Sequence, residues 1–303
     1  MKEHLFLNKI INTLSNSSYI GDDCAILDDL GIALTQDTLV EDVHFALEYT
    51  NAYKLGYKSV IVNISDILAA GAKPQYLSIS MSLPNKINEV FIEDFYKAVD
   101  DLSKRFDFEV VGGDITGADK LTISICAIGD IKNRNVSSRK NARVGDLIVV
   151  TGKHGLSSYG LYQLKCGIKQ SEYIDEHLMP TVDDRFSEEI SKKVKRYAMM
   201  DTSDGIVDAL FKIAQNSDVT LTVDYDKIPK EKGIDKNFVL YGGEDYKLAA
   251  SLNREDLDKI SKDLYTVIGY VEEKQNCPLK IKFDNYVEDI KNLDRTFNHF
   301  EGI

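Results

Sequence analysis

Carboxylates lie beside glycines or at the ends of short apolar runs along the whole chain. The groups are Gly21-Asp22-Asp23, Thr35-Gln36-Asp37, Asn63-Ile64-Ser65-Asp66, Gly112-Gly113-Asp114, Asp201-Thr202-Ser203-Asp204-Gly205 and Gly242-Gly243-Glu244-Asp245. Carboxylates held by rigid strand ends and turns can converge, and converging carboxylates repel one another unless cations lie between them. Hard oxygen ligands select Mg²⁺ or Ca²⁺, and Mg²⁺ is usually completed by substrate phosphates. The pattern therefore suggests a metal-phosphate site.

A structural interpretation of each single carboxylate competes with this one. The chain has 49 acidic residues, so most of them are solvated surface groups. A lone aspartate is as often a turn former or a helix cap as a ligand. Six framed groups in one chain favour the metal site.

Size, charge and cysteine usage bound the class of protein. The 303 residues, 43% of them hydrophobic, suffice for one large or two medium domains and exclude disorder. A net charge of −12 argues against nucleic acid or an anionic membrane as partner. No apolar stretch approaches the roughly 20 residues that span a bilayer. The four cysteines are scattered without a CxxC pair, which favours free thiols in a reducing cytoplasm over a zinc site.

Short β-branched runs alternate with segments of helical periodicity. Strands are predicted at 32–34, 76–81, 108–111, 121–128, 147–150, 219–223, 247–251 and 265–268. Helices are predicted near the N-terminus and at 52–70, 91–105, 156–166, 184–194 and 204–215. The basic, polar segment 132–143 is the best boundary, so we expect domains at 1–133 and 134–303. The alternation predicts an α/β or α+β chain of two domains.

The predicted helix at 52–70 contains the β-branched run Val60-Ile61-Val62, so a strand is the competing interpretation. As a helix, it places Ser59, Asn63, Asp66 and Ala70 on one face, and such a small polar stripe usually faces something polar and buried.

No phosphate-binding glycine loop of the Walker type is present. The nearest approach, Gly152-Lys153-His154, lacks the earlier glycine and the following Ser or Thr. A bound nucleotide would therefore be held chiefly by metals on carboxylates and by backbone amides. The turn at 151–161 could place a phosphate at a helix N-terminus, or simply pack a strand against a helix.

Nine segments together resemble the thiamine-monophosphate kinase family, whose superfamily includes aminoimidazole ribonucleotide synthetase and selenophosphate synthetase. They are GDDCA at 21–25, TQDTLVEDVHF at 35–45, NISDILAAGAKP at 63–74, GGDIT at 112–116, RKNARVGD at 139–146, VTGKHGLSSYGL at 150–161, DTSDG at 201–205, YGGEDYKL at 241–248 and FNHF at 297–300. They cover nearly the whole chain in the family's order.

The resemblance implies an aminoimidazole ribonucleotide synthetase-like fold, with an α+β N-terminal domain whose sheet pairs with a second subunit and an α/β C-terminal domain. It implies a cytoplasmic homodimer that uses ATP and several Mg²⁺ ions to convert thiamine phosphate to thiamine diphosphate. The implied metal ligands are Asp23, Thr35, Gln36, Asp37, Asp66, Asp114, Asp201 and Asp204. The implied nucleotide contacts are Tyr96, Gly113, Asp114, Arg139 and Ser203, and the implied contacts to thiamine phosphate are His44, Glu244 and Phe297.

The chain departs from the family's pattern in two places. Gln36 stands where Thr or Ser is usual, so either its amide oxygen or its backbone carbonyl could be the ligand. Lys140 and Asn141 follow Arg139 where the family prefers small residues.

The implied reaction needs no general base, because a phosphate oxygen of the acceptor is already ionised near neutral pH, with a second pKa of about 6. Catalysis then consists of in-line alignment and charge neutralisation by metal ions. The alternatives are another ATP-using enzyme of the superfamily, of the selenophosphate synthetase or purine-biosynthetic type, and a non-enzymatic divalent-cation-binding module. A selenophosphate synthetase would carry a reactive N-terminal Cys, and a calcium module an EF-hand loop; the sequence contains neither.

Overall fold

The computed structural model describes residues 3–296 of the chain. The helices are α1 Glu3–Thr13, α2 Ala52–Ala69, α3 Glu89–Phe106, α4 Leu156–Lys165, α5 Glu172–Leu178, α6 Asp184–Lys193, α7 Ile206–Ser217, α8 Lys236–Tyr241 and α9 Arg254–Leu257. The strands are β1 Ala25–Leu27, β2 Ile32–Val40, β3 Lys73–Leu83, β4 Glu109–Gly117, β5 Thr122–Asp130, β6 Leu147–Val150, β7 Ala198–Asp201, β8 Thr220–Asp224, β9 Leu248–Leu252, β10 Thr266–Glu272, β11 Leu279–Phe283 and β12 Tyr286–Ile290.

The N-terminal half builds a five-stranded sheet in the order β1-β2-β5-β3-β4. Its pairs are antiparallel except β3 with β4, which run parallel. Buried and partly buried residues alternate along β5, as expected for a sheet with one face on the core. Helices α2 and α3 pack together, and α2 also contacts β2, β3 and β5. The outer strand β4 is exposed along all nine residues.

Helix α2 confirms the helical interpretation of 52–70 over the strand. It begins where the Asn51 side chain accepts a hydrogen bond from Lys54 N, and it ends just before Gly71, whose φ is +80°. The β-branched run around Ile61 is tolerated because α2 is buried along most of its length, so tertiary packing overrides propensity. A side chain at Gly56 would meet the Phe95 carbonyl oxygen at 2.4 Å, so this glycine lets α2 and α3 approach.

The C-terminal half builds a seven-stranded sheet in the order β12-β11-β8-β10-β6-β9-β7. Its pairs are antiparallel except β11 with β8. One hydrophobic cluster contains much of α7, and a second forms around Phe186, Ile190 and Tyr197. Both clusters pack against strands of this sheet, so the sheet is covered on more than one side by separate apolar groups.

Several boundaries differ from the sequence predictions. Strands β2 and β4 continue past their apolar starts through polar residues, because the hydrogen-bonded ladders continue there. The short strand β7 and the hairpin of β11 and β12 were not predicted, and the helix predicted from residue 204 begins at Ile206. The boundary between 133 and 134 stays a prediction. No described helix is long and apolar enough to cross a membrane.

Candidate active site

Three carboxylates from distant parts of the chain meet at one point. Asp23 precedes β1, Asp66 lies in the last turn of α2 and Asp201 ends β7. One oxygen from each carboxylate lies within 4.8 Å of the others. This carboxylate cluster joins the N-terminal sheet, its main helix and the C-terminal sheet.

The environment of the carboxylate cluster disfavours negative charge. Burial, together with repulsion from Asp201, raises the pKa of Asp23 to about 7, although the Arg139 guanidinium opposes this shift. Burial also raises the pKa of Asp66 well above its ordinary value, with added repulsion from Asp37, Asp201 and Asp23. The pKa of Asp201 is raised by burial as well. A divalent cation would relieve this repulsion, so the hard oxygen donors fit Mg²⁺.

Hydroxyl groups fix the orientation of these carboxylates. Thr35 Oγ1 donates to Asp66 Oδ2 at 2.6 Å, and Ser65 Oγ donates to Asp201 Oδ2 at 2.7 Å. Ser203 Oγ donates to the other oxygen, Asp201 Oδ1, at 2.8 Å. Each carboxylate oxygen named here is therefore aimed by a specific donor.

The strand β2 supplies the predicted residues Thr35, Gln36 and Asp37. Successive side chains of a strand point to opposite faces, so Thr35 and Asp37 share the face toward α2, where Asn63 Oδ1 accepts from Asp37 N at 3.2 Å. The side chain of Gln36 is exposed and lies on the other face. Any contact of Gln36 with a metal on the Thr35 side would use its backbone carbonyl.

Arg139 and the loop that carries it are tied to the N-terminal segment. Arg139 Nη2 lies 2.6 Å from Asp23 Oδ1, and Arg139 N donates to Asp22 Oδ1 at 2.8 Å. Ser138 Oγ donates to the second oxygen of Asp22 at 3.0 Å. Within residues 3–296, Arg139 Nε is buried without a hydrogen-bond partner.

Asp204 is held by a lysine that sequence reasoning missed. Lys212 Nζ lies 3.5 Å from Asp204 Oδ2 and 2.7 Å from Asp208 Oδ2. Burial raises the pKa of Asp208 to about 6, although Lys212 opposes this shift. Both residues lie on α7, whose start follows the DTSDG motif.

A second ionic cluster surrounds Glu244. Lys58 Nζ lies 2.8 Å from Glu244 Oε1, and His177 Nδ1 lies 3.3 Å from Glu244 Oε2. Glu244 N donates to the Ser203 carbonyl at 2.6 Å, which links this group to the carboxylate cluster. Burial alone would raise the pKa of Glu244, but Lys58, His177 and His44 outweigh it, and the pKa is lowered.

His44 lies in the turn after β2. Its Nδ1 accepts from Val40 N at 3.0 Å, which places the proton of a neutral ring on Nε2. It also contributes to the lowered pKa of Glu244, as the smallest of the causes.

The remaining predicted residues lie elsewhere. Tyr96 is half-buried on α3, with its ring edge-on to Phe95 at 5.5 Å. Gly113 and Asp114 lie on β4, where a side chain at Gly113 would clash with the Ile79 carbonyl. Strand pairing separates Asp114 from β2 by three strand spacings, about 14 Å. Phe297 lies outside the described residues.

The turn at 151–161 packs a strand against a helix, and its amide donors are already occupied. Asp245 Oδ2 accepts from Gly155 N at 2.6 Å, and Asp245 Oδ1 accepts from Ser157 N at 3.0 Å. The buried carboxylate of Asp245 thus fills the N-terminus of α4, where a phosphate would otherwise bind.

Lys58 and His177 are the residues near the site that had the weakest sequence signal. Lys58 interrupts an apolar helical run eight residues before Asp66, and a lysine in a helix buried on most sides is a usable signal. His177 shows no comparable pattern, because only the tertiary fold brings α5 beside Glu244.

Family models match both halves of the chain. Residues 21–131 match the model described as AIR synthase related protein, N-terminal domain. Residues 143–282 match AIR synthase related protein, C-terminal domain. These matches confirm the predicted two-domain α/β fold of the aminoimidazole ribonucleotide synthetase type.

Individual relatives show which family within this superfamily the chain resembles. The thiamine-monophosphate kinase of Bacillus subtilis (strain 168) is 30% identical, with 98% of each chain covered. A solved structure of AaThiL complexed with AMPPCP and TMP is 31% identical, with a TM-score of 0.87 over 99% of this chain and 97% of that one. The thiamine monophosphate kinase structure from Aquifex aeolicus is 30% identical, with a TM-score of 0.82 over 96% of this chain and 99% of that one. With full-length identity at this level and the two-domain fold in common, the chain belongs to the thiamine-monophosphate kinase family.

Proposed function

We propose that this chain transfers the terminal phosphoryl group of ATP to thiamine phosphate and forms thiamine diphosphate. The support is membership in the kinase family, together with near-complete overlap with a relative whose structure holds AMPPCP, an ATP analogue, and TMP. The proposal places the transfer at the carboxylate cluster and the ring end of the acceptor near Glu244.

Helix α2 is the observation that carries this placement. Asp66 of the carboxylate cluster and Lys58, the partner of Glu244, lie eight residues apart on α2. At 1.5 Å per residue, this separation is about 12 Å along the helix axis. An extended acceptor with a phosphate at one end and a cationic ring system at the other would suit a metal-binding carboxylate cluster and the Glu244 carboxylate at such a distance.

The metal ligands are proposed from the cluster and its neighbours. Asp23, Asp66 and Asp201 would hold Mg²⁺, with Thr35, Asp37 and Asp204 close by and Gln36 contributing through its carbonyl. When bound, Mg²⁺ neutralises phosphate charge and aligns the phosphates of nucleotide and acceptor. The raised pKa values of the three carboxyl groups support the fit, because burial leaves their charges uncompensated.

Nucleotide contacts are proposed for Tyr96, Gly113, Asp114, Arg139 and Ser203. Arg139 is well suited to phosphate, since its planar fork has five donors and only part of them is used by Asp23 and Gly21. Ser203 connects both ends of the site, because its hydroxyl orients Asp201 and its carbonyl holds Glu244.

The acceptor is proposed to contact His44, Glu244 and Phe297. His44 can donate from Nε2 to a phosphate oxygen, and Glu244 can face the positive ring of thiamine. The acceptor phosphate attacks directly and in line. Its ionised oxygen requires no proton acceptor, so the chain's residues only bind, orient and neutralise charge.

A homodimer is proposed from the outer strand β4. This strand is exposed throughout and carries Val110, Val111 and Ile115 with 41%, 58% and 62% of their surface open. Exposed apolar edges are usually covered by pairing. Asp114 lies about 14 Å from β2 in its own chain, by three strand spacings, so it would join the carboxylates only as a residue of a second subunit.

A cytoplasmic location is proposed because all four cysteines are free.

A coupled assay of ADP release tests the function. Thiamine phosphate should be turned over in the presence of Mg²⁺ or Mn²⁺, free thiamine should not, and EDTA should abolish turnover. Ca²⁺ should support little activity, because its looser coordination aligns phosphates poorly. Phosphorus NMR identifies the product as a diphosphate. Equal or faster turnover of free thiamine, or full activity without metal, would contradict the proposal.

A further inference from the structure

A buried lysine and a buried histidine hold the two oxygens of Glu244, and neither was expected from the sequence. Lys58 is 3% exposed and His177 is 1% exposed, whereas the Glu244 side chain keeps 26% of its surface open. The partners are thus buried behind the carboxylate, and the carboxylate itself is reachable. Among the ion pairs of residues 3–296, Lys58 has no other carboxylate partner.

His177 acts here as a neutral donor. Burial lowers its pKa to about 3, and Lys58 adds to this shift, so the ring is uncharged at neutral pH. A bare Nδ1 would face a carboxylate oxygen lone pair to lone pair, so the proton lies on Nδ1, between Glu244 Oε2 and Ser157 Oγ at 3.0 Å. Nε2 is then bare, in keeping with its lack of a partner among the described residues.

The backbone of Glu244 is also held in an uncommon conformation. Its φ is +65°, in the left-handed region, and its N–H donates to the Ser203 carbonyl at 2.6 Å. A non-glycine residue stays in this region only when its surroundings over-determine it, and such residues cluster at ligand sites. Main chain and side chain are therefore both fixed.

We propose that Lys58 and His177 are positioning residues that keep the Glu244 carboxylate ionised and aimed at the positively charged ring of the acceptor, and so set specificity for a cationic substrate. This inference rests on the proposed function. Without Lys58, the partly buried carboxylate would lose its main compensating charge and bind a proton, and its attraction for a cation would disappear.

The test compares Lys58→Met with a matched control, Lys54→Met. Lys54 lies one turn earlier on α2 and pairs with Asp175 of α5. This ion pair therefore joins the two helices that carry Lys58 and His177, but it lies at the surface, where an ion pair contributes little to stability. We measure KM for thiamine phosphate and for ATP, and turnover of an analogue whose thiazolium is replaced by a neutral thiophene.

Lys58→Met should raise KM for thiamine phosphate by at least about tenfold, the range for a charged hydrogen bond, and leave KM for ATP within about twofold. Its preference for the cationic substrate over the neutral analogue should fall, and Lys54→Met should match wild type. A lower KM for thiamine phosphate would overturn the inference, since Lys58 would then merely compete with the substrate. Equal increases in both KM values, or none, would overturn it too.

His177 supplies a second pair of variants in case Lys58→Met folds poorly. His177→Asn keeps an N–H donor and should stay near wild type, whereas His177→Leu removes it and should raise KM for thiamine phosphate alone. Equal behaviour of the two variants would overturn the role of His177. If wild type and Lys54→Met both fail to phosphorylate thiamine phosphate, the proposed function fails, and the positioning role fails with it.

Discussion

Asp66 is the residue at which the demands of folding and of function diverge most. Its carboxylate is buried and is repelled by the carboxylates of Asp37, Asp201 and Asp23. Burial and this repulsion raise its pKa well above the ordinary value. Only Thr35 donates to it directly among the hydrogen bonds found within residues 3–296. Such a group lowers the stability of the metal-free protein when ionised, which is expected of a carboxylate that serves the proposed metal site.

Asp66→Asn keeps the shape and removes one repelling charge. We expect the metal-free variant to melt at the wild-type temperature or a few degrees higher, a change of about 1 kcal/mol, while most activity is lost. Stabilisation by Mg²⁺ with nucleotide should shrink, because this gain depends on ligand affinity.

Thermal melts with and without ligands check this expectation, and Asp100→Asn on the exposed side of α3 serves as control. If metal-free Asp66→Asn melts far below wild type, Asp66 is a structural hydrogen-bonding residue and the metal site is wrongly placed.

At the scale of elements, the start of α4 depends on a carboxylate 90 residues away in sequence. Asp245 is buried and accepts from Gly155 N and Ser157 N. Asp245→Ala should destabilise the protein by about 1–3 kcal/mol, because it removes a cap and leaves buried donors unpaired. Asp235→Ala, which removes the exposed cap of the short helix α8, should cost about 0.5–1 kcal/mol. Urea unfolding of both variants gives the comparison, and equal losses would show that the cap at α4 contributes no more than a surface cap.

Helices and strands were predictable where nearby residues in the sequence mark them, and not where distant partner strands hold them. Helix α2 was predictable, since Asn51, Gly71 and helical spacing mark it. The far ends of β2 and β4 were not, because they are held by partner strands rather than by apolar residues of their own. Strand β7 has only four residues, too few for a period to show.

The whole molecule should respond to pH through its buried acids. Burial raises the pKa values of Asp23 and Asp245 to about 7, and it raises the pKa of Asp66 well above its ordinary value. A raised pKa means that the folded state holds the proton more tightly than the unfolded state. The contribution of these acids to the free energy of unfolding is therefore full at low pH, and it is lost as the pH rises through their pKa in the folded state. The pKa values of His154 and His177 are lowered to about 3, so these residues make stability rise with pH, but only below about pH 6.5.

The metal-free protein should therefore lose stability between about pH 6.5 and pH 8, where only the acids act. Mg²⁺ at the proposed site should reduce this loss, since it would compensate Asp23 and Asp66 but not Asp245. Urea unfolding at both pH values, first in EDTA and then in Mg²⁺, measures the effect. A free energy of unfolding that rises over this interval in EDTA would contradict it.

The candidate site is formed by residues from distant parts of the chain, so the sequence alone could describe it only in part. Framing by glycines or apolar runs was enough to single out Asp23, Asp66 and Asp201, and the family resemblance implied their role as metal ligands. Their meeting point was not visible, because Ser65 and Asp201 touch across 136 positions of chain. Lys58 and His177 escaped notice for the same reason, as their meaning depends on Glu244 of another element.

The fixed length of α2 has a consequence for when the reaction stops. In the proposed placement, one rigid helix sets the separation of the two ends of the site, so the enzyme would select acceptors by their length. Thiamine diphosphate is longer by one phosphate, a difference of about two residues of helix rise, ~3 Å. With its ring near Glu244, its terminal phosphate would overshoot the transfer position. Each acceptor should thus be extended once, and no triphosphate signal should appear in phosphorus NMR after long incubation with excess ATP.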